Sequence, residues 1–218
     1  GEKVWMDLAK NPHMIISGTT GSGKSTAIHS IIANLLNYHK AHLYLMDPKQ
    51  IEFGAYEPHF QKNISFASSY ADCLDSLHSI FHLMENRYAH LRDVPNHQFP
   101  PVVVIIDEFS DLILQDQNNQ FHTLLCRLAQ KSRAAKIHLV LSTQRPSATV
   151  INGDIKANFP TRLACRVASS IDSKIVLGKV GAEALAGNGD AILDGSIFQM
   201  ERLQLAYTQP SDIVKNLA

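Results

Sequence analysis

The sequence predicts an α/β fold: a mostly parallel central sheet flanked by helices, with a C-terminal hairpin. Three observations predict it. Short apolar runs rich in β-branched residues alternate with longer stretches of helical period, the pattern of parallel strands joined by crossover helices. A glycine-rich segment ending in Lys-Ser links the first such run to the first helical stretch. A second run, wholly apolar, stops at two adjacent carboxylates.

In chain order, the predicted strands are His13–Ser17, Leu43–Met46, Val102–Ile106, Ile137–Ser142 and Arg162–Val167, apolar enough to be buried on both faces. Helices are predicted over Lys24–Tyr38, Tyr70–Leu91 and Phe121–Lys131. In the second, Leu74, Leu77, Phe81 and Met84 recur at three- and four-residue intervals, so one face is apolar. Ala191–Leu193 and Arg202–Tyr207 read as the closing hairpin, with Asp194 and Gly195 as turn residues. Polar stretches at Arg92–Pro101 and Gln115–Gln120 are loops. No repeat or long linker divides the chain, so residues 1–218 are expected to form one domain.

Gly18-Thr19-Thr20-Gly21-Ser22-Gly23-Lys24-Ser25 matches G-x-x-x-x-G-K-[ST] without a gap, between a strand and a helix. Glycines let the backbone wrap a phosphate, so that its N–H groups and the positive end of the following helix face the anion. Lys24 is then placed to contact the β- and γ-phosphates, Ser25 to ligate Mg²⁺, and Thr26 to complete the nucleotide-binding turn. Asp107 and Glu108 follow the apolar run Val102–Ile106. This is an arrangement in which the aspartate helps hold Mg²⁺ and the next residue faces the γ-phosphate, where a carboxylate orients and deprotonates water. No Asn-Lys-x-Asp guanine reader is present, so ATP is the expected nucleotide. Asp111 reads as structural.

Composition narrows the classes further. Hydrophobic residues make up 45% and charged residues 18%, which excludes disordered and low-complexity chains. The longest purely apolar run is Val102–Ile106, far too short to span a bilayer, and no membrane insertion by this chain is expected. Cys73, Cys126 and Cys165 are far apart, which argues against a disulfide framework or zinc ribbon and for a cytoplasmic location. They read as core fillers. His78 and His82, with Glu85 nearby, have a spacing that can hold a metal but read as ordinary helix residues. Lys and Arg balance Asp and Glu at 20 each, yet the stretch from Arg127 to Lys179 is net +8 and the remainder net −8.

With these motifs the chain resembles the motor domain of the FtsK/SpoIIIE DNA translocases, within the FtsK and HerA group of RecA-like P-loop ATPases. The resemblance runs through Asp7-Leu8-Ala9-Lys10, the Gly18–Ser25 loop, Asp47-Pro48-Lys49 and Asp107-Glu108-Phe109. It continues through Ala129 to Ala135, Thr143-Gln144-Arg145-Pro146, Ile155-Lys156-Ala157-Asn158, Asp172-Ser173 and Gly187 to Asp190. Two departures stand out: the stretch between Asn63 and Pro101 is shorter than usual, and Lys174 takes the place of the family's arginine. A membrane-spanning N-terminus and a winged-helix domain, found in longer members, are not matched, which leaves room for a membrane-tethered parent.

The resemblance implies a RecA-like ATPase in a homohexameric ring that drives double-stranded DNA through its central channel, in segregation, conjugation or packaging. It implies that Gln144 is a sensor of the γ-phosphate. Arg133, in the shared Gln-Lys-Ser-Arg-Ala-Ala block, is the first choice for a cation reaching the neighbour's nucleotide, with Arg162 and Arg166 as runners-up. Arg145, Lys156 and Lys174 fall in segments resembling the family's pore-facing loops, where they would meet DNA phosphates. The competing readings are an FtsK-like ATPase of a protein secretion system and a nucleotide-dependent structural module. Glu108 argues against the last.

Overall fold

The structure is a computed structural model that describes residues 3–37, 41–59 and 63–215. Among them, eight strands form one sheet: β1 (His13–Ser17), β2 (His42–Met46), β3 (Ile64–Ala67), β4 (Val102–Ile106), β5 (Ile137–Thr143), β6 (Thr161–Cys165), β7 (Asp190–Asp194) and β8 (Glu201–Gln204). Their spatial order is β3-β2-β4-β5-β1-β6-β7-β8. β1 to β6 run parallel, and β7 and β8 extend the sheet antiparallel at one edge.

The helices are α1 (Lys24–Asn37), α2 (Tyr70–Asp93), α3 (Phe109–Gln115), α4 (Gln120–Lys131), α5 (Gly153–Asn158), α6 (Ser170–Leu177) and α7 (Pro210–Lys215). A 3₁₀ turn spans Gly54–His59. The last residue of the first predicted helix, Tyr38, lies outside the described residues. No helix among the described residues is long and apolar enough to cross a membrane.

Alternation along the central strands explains the layering. In β4, Val102, Val104 and Ile106 pack on one face with α2, α3 and α4, while Val103 and Ile105 pack on the other with Ile28 and Ile32 of α1. Every residue of β1, β4 and β5 is buried, as strands covered on both faces require. α2 starts at a capping box in which Ser69 and Asp72 satisfy each other's backbone N–H groups. Its buried stripe is Cys73, Leu77, Ile80, Met84 and Arg87, so Leu74 and Phe81 pack only at its margin. All three cysteines are free and buried.

The structure adds elements that the sequence pattern does not announce. β3 has only four residues, and α3, α5 and α6 are short, so each offers too few periods to register. The closing hairpin is present, but Asp194-Gly195 is not a two-residue turn. Residues 195–200 form a longer connection, closed by reciprocal backbone bonds between Gly195 and Phe198, and the second strand ends at Gln204 rather than Tyr207.

Candidate nucleotide-binding and hydrolysis site

Parallel strands bring their C-terminal ends to one edge, and the site assembles there from the segments that follow β1, β2, β4 and β5. The loop after β1 is pinned on two sides. Thr19 N–H and its hydroxyl donate to the Arg166 carbonyl at 2.9 and 3.1 Å, and Gly189 N–H donates to the Ser22 carbonyl at 2.8 Å. Gly23 has φ +108°, and a Cβ there would lie 2.5 Å from the Gly189 backbone. Only glycine permits both that conformation and that approach. Lys24, Ser25 and Thr26 form the first turn of α1, whose N–H groups have no partner within the helix.

Lys24 is buried, and its ammonium donates to Asp107 Oδ1 at 2.5 Å and to Ser142 Oγ at 2.8 Å. Burial pushes the Asp107 carboxyl up and neighbouring Glu52 adds to this, against the pull of the Lys24 charge. Ser25 and Asp107 offer a hydroxyl and a carboxylate, hard oxygen donors of the kind Mg²⁺ takes.

Glu108 is 2% exposed and sits at φ 50°, ψ 54°. A non-glycine residue in this left-handed region is strained, and such strain clusters at functional sites. Its carboxylate accepts from Ser110 Oγ, from Thr143 Oγ1 at 2.6 Å and from the Gln144 N–H at 3.1 and 3.2 Å. Burial raises its pKa, but these hydrogen bonds and Lys24 outweigh burial and hold it below the usual range, hence ionised. The Gln144 side chain in turn accepts from Thr20 Oγ1 at 3.1 Å. A continuous line of contacts thus runs from the carboxylate to the phosphate-binding loop.

The structure gathers Lys24, Ser25, Asp107, Glu108 and Gln144 in one place and sets other candidates apart. Arg133 is exposed in the turn before β5, at the opposite end of the sheet, where its Nε donates to the Ala9 carbonyl at 3.2 Å. It lines a groove of about 590 Å³ with Tyr88, Lys131 and Lys136. Arg162 is half-buried in β6 and donates to the Lys156 carbonyl, while Arg166 lies beside the phosphate-binding loop of its own chain. Arg145 is exposed just past β5, Lys156 precedes the other end of β6, and Lys174 is exposed on α6, so these three do not share one end of the sheet. His78, His82 and Glu85 are exposed on the outer face of α2. Among the described residues, no group of three or more His, Cys, Asp and Glu side chains is placed to hold a metal. Asp111 pairs with Lys49 at 3.0 Å.

Ser110, Ser142, Thr143, Glu52 and the Gly187–Asp190 turn are further parts of the site. Sequence reasoning assigns them no role, although Thr143 and the Gly187 block lie in segments shared with the resembled family.

A sequence model of the FtsK/SpoIIIE family matches residues 1–95 and 92–148. The chain belongs to the FtsK/SpoIIIE family. The DNA translocase FtsK of Borreliella burgdorferi is 39% identical over 219 residues, covering 90% of this chain but 27% of that protein. The chain therefore spans about a quarter of that relative's length. Among solved structures, the pCW3 conjugation coupling protein TcpA, determined with ATPγS, superposes with a TM-score of 0.81 at 27% identity. That match covers 97% of this chain and 66% of TcpA. The cytoplasmic domain of the Thermomonospora curvata type VII secretion ATPase EccC gives a TM-score of 0.77 at 22% identity, over 95% of this chain and 28% of that one. The latter likeness is one of fold. The fold is that of a P-loop ATPase domain.

Proposed function

We propose that this chain is the motor core of a DNA translocase acting in the cytoplasm. It binds ATP with Mg²⁺, hydrolyses it at sites between subunits of a homohexameric ring, and drives double-stranded DNA through the channel. The observation that carries the reading is the contact line from Glu108 through Gln144 to Thr20, which joins a buried ionised base to the phosphate loop. Mg²⁺, when bound, neutralises charge on the phosphate oxygens. Ser25 and Asp107 would hold it, Lys24 would leave Asp107 for the β- and γ-phosphates, and Glu108 would accept the proton of the attacking water.

The relatives named DNA translocase FtsK support DNA as the substrate, as does the net +8 charge between Arg127 and Lys179. In a ring, Arg145, Lys156 and Lys174 repeat six times, and contacts to phosphate grip every sequence alike.

The test is steady-state ATP hydrolysis with and without long double-stranded DNA over a range of salt, with Lys24→Ala as the blank. The expected result is stimulation that fades as salt rises, the mark of phosphate contacts. Hydrolysis indifferent to DNA at every salt concentration would overturn the DNA reading and favour a protein substrate.

A further inference from the structure

The segment after β2 brings a third carboxylate to the site. Asp47, fully buried at the end of β2, accepts from the N–H groups of Lys49, Glu52 and Phe53, and so folds residues 47–53 back over α1. Phe53 and Tyr56 anchor the fold-back in the core. Glu52 is thereby aimed at α1, where Ser25 and His29 stand four residues apart on one face. Ser25 thus stands one helical turn from the residue that Glu52 contacts, and although burial pushes the Glu52 carboxyl up, His29 and then Ser25 draw it below its usual range. His29 Nε2 lies 3.1 Å from Glu52 Oε1, and His29 Nδ1 lies 2.8 Å from the Tyr56 hydroxyl. Glu52 Oε1 is buried without an aligned hydrogen bond, so its capacity as an acceptor is not exhausted.

We infer that Glu52 is a positioning residue for the metal, which accepts a hydrogen bond from the Ser25 hydroxyl and so turns the Ser25 oxygen lone pairs toward Mg²⁺. The inference rests on the reading of Ser25 as a metal ligand. A serine that ligates a cation must direct its O–H elsewhere, and Asp107 Oδ1 is already shared by Lys24 and Ser142. Glu52 is the carboxylate held against this face of α1. His29 and Tyr56, behind it, fix its direction, as outer partners commonly do for metal ligands. A loop–helix tie with no bearing on the metal would leave the cation requirement untouched, and this separates the two roles.

The experiment is ATPγS binding measured first in chelator without divalent metal and then along a Mg²⁺ titration, for wild type and Glu52→Gln. Glu52→Gln is expected to keep metal-free affinity within about 2-fold and to raise the Mg²⁺ concentration for half-maximal tightening by about 10- to 100-fold, the scale of lost outer-partner support. Hydrolysis recovers at saturating Mg²⁺. An unchanged Mg²⁺ midpoint, or an equal loss with and without metal, overturns the proposal. Wild-type binding that ignores Mg²⁺ overturns the metal reading itself. If Glu52→Gln does not fold, Glu52→Asp keeps the charge but shortens the reach. A smaller shift in the same direction is then expected, and no shift is equally fatal.

Discussion

Glu108 is both buried and twisted into a left-handed backbone, two unfavourable features at one residue. Three donors offset the burial: the Ser110 and Thr143 hydroxyls and the Gln144 N–H keep the carboxylate ionised and aimed. An amide of the same shape can still accept from them but cannot take a proton from water. Glu108→Gln is therefore expected to bind ATP as wild type does and to lose turnover by about 10²-fold or more, the usual worth of a positioned base. Binding of a fluorescent ATP analogue, measured beside steady-state hydrolysis, checks this; near-wild-type turnover would remove Glu108 as the base. The residues with evident chemistry were legible in the sequence because the motif is contiguous or ends a conspicuous strand. Ser110, Thr143 and Glu52 were not assigned roles. Each is an ordinary residue type whose function exists only once β2, β4 and β5 end side by side.

At the scale of elements, legibility followed burial. β1, β4 and β5 are covered on both faces and read as continuous apolar runs, whereas β3 and β8 lie at the sheet edges, where short and mixed sequences suffice. The same central strands carry an acid liability. His13 on β1 and His138 on β5 are buried near one another, and burial first, then their mutual repulsion for His13, lowers that pKa to about 3. Burial likewise lowers His138 to about 4, partly opposed by its bond to the Pro12 carbonyl. Both are thus neutral in the fold where an unfolded chain would protonate them near pH 6.5. Stability is full above about pH 6.5 and declines as pH falls toward 4 and then 3, because the unfolded state binds the extra protons. His138→Asn, which does not titrate, is expected to show a shallower fall in melting temperature between pH 7 and pH 4.5. A fall as steep as wild type would place the acid sensitivity elsewhere.

At the scale of the whole molecule, the position of Arg133 decides what it can do. It lies before β5, at the end of the sheet opposite its own phosphate loop, so it cannot reach the nucleotide of its own chain. Its exposed groove with Lys131 and Lys136 is instead a cationic face at the far end of the sheet. Arg166, beside the loop of its own chain, has the reverse placement. If Arg133 acts across an interface, Arg133→Ala and Lys24→Ala subunits are each inactive alone but complementary when mixed. A Lys24→Ala subunit still presents Arg133, and an Arg133→Ala subunit still holds an intact loop. Random equimolar mixing then restores about a quarter of the sites, since each needs an intact loop and a neighbour with the arginine. Hydrolysis assayed with DNA across mixing ratios measures this. Activity that peaks near equal proportions supports the assignment, and none at any ratio counts against Arg133 as the residue that completes its neighbour's site.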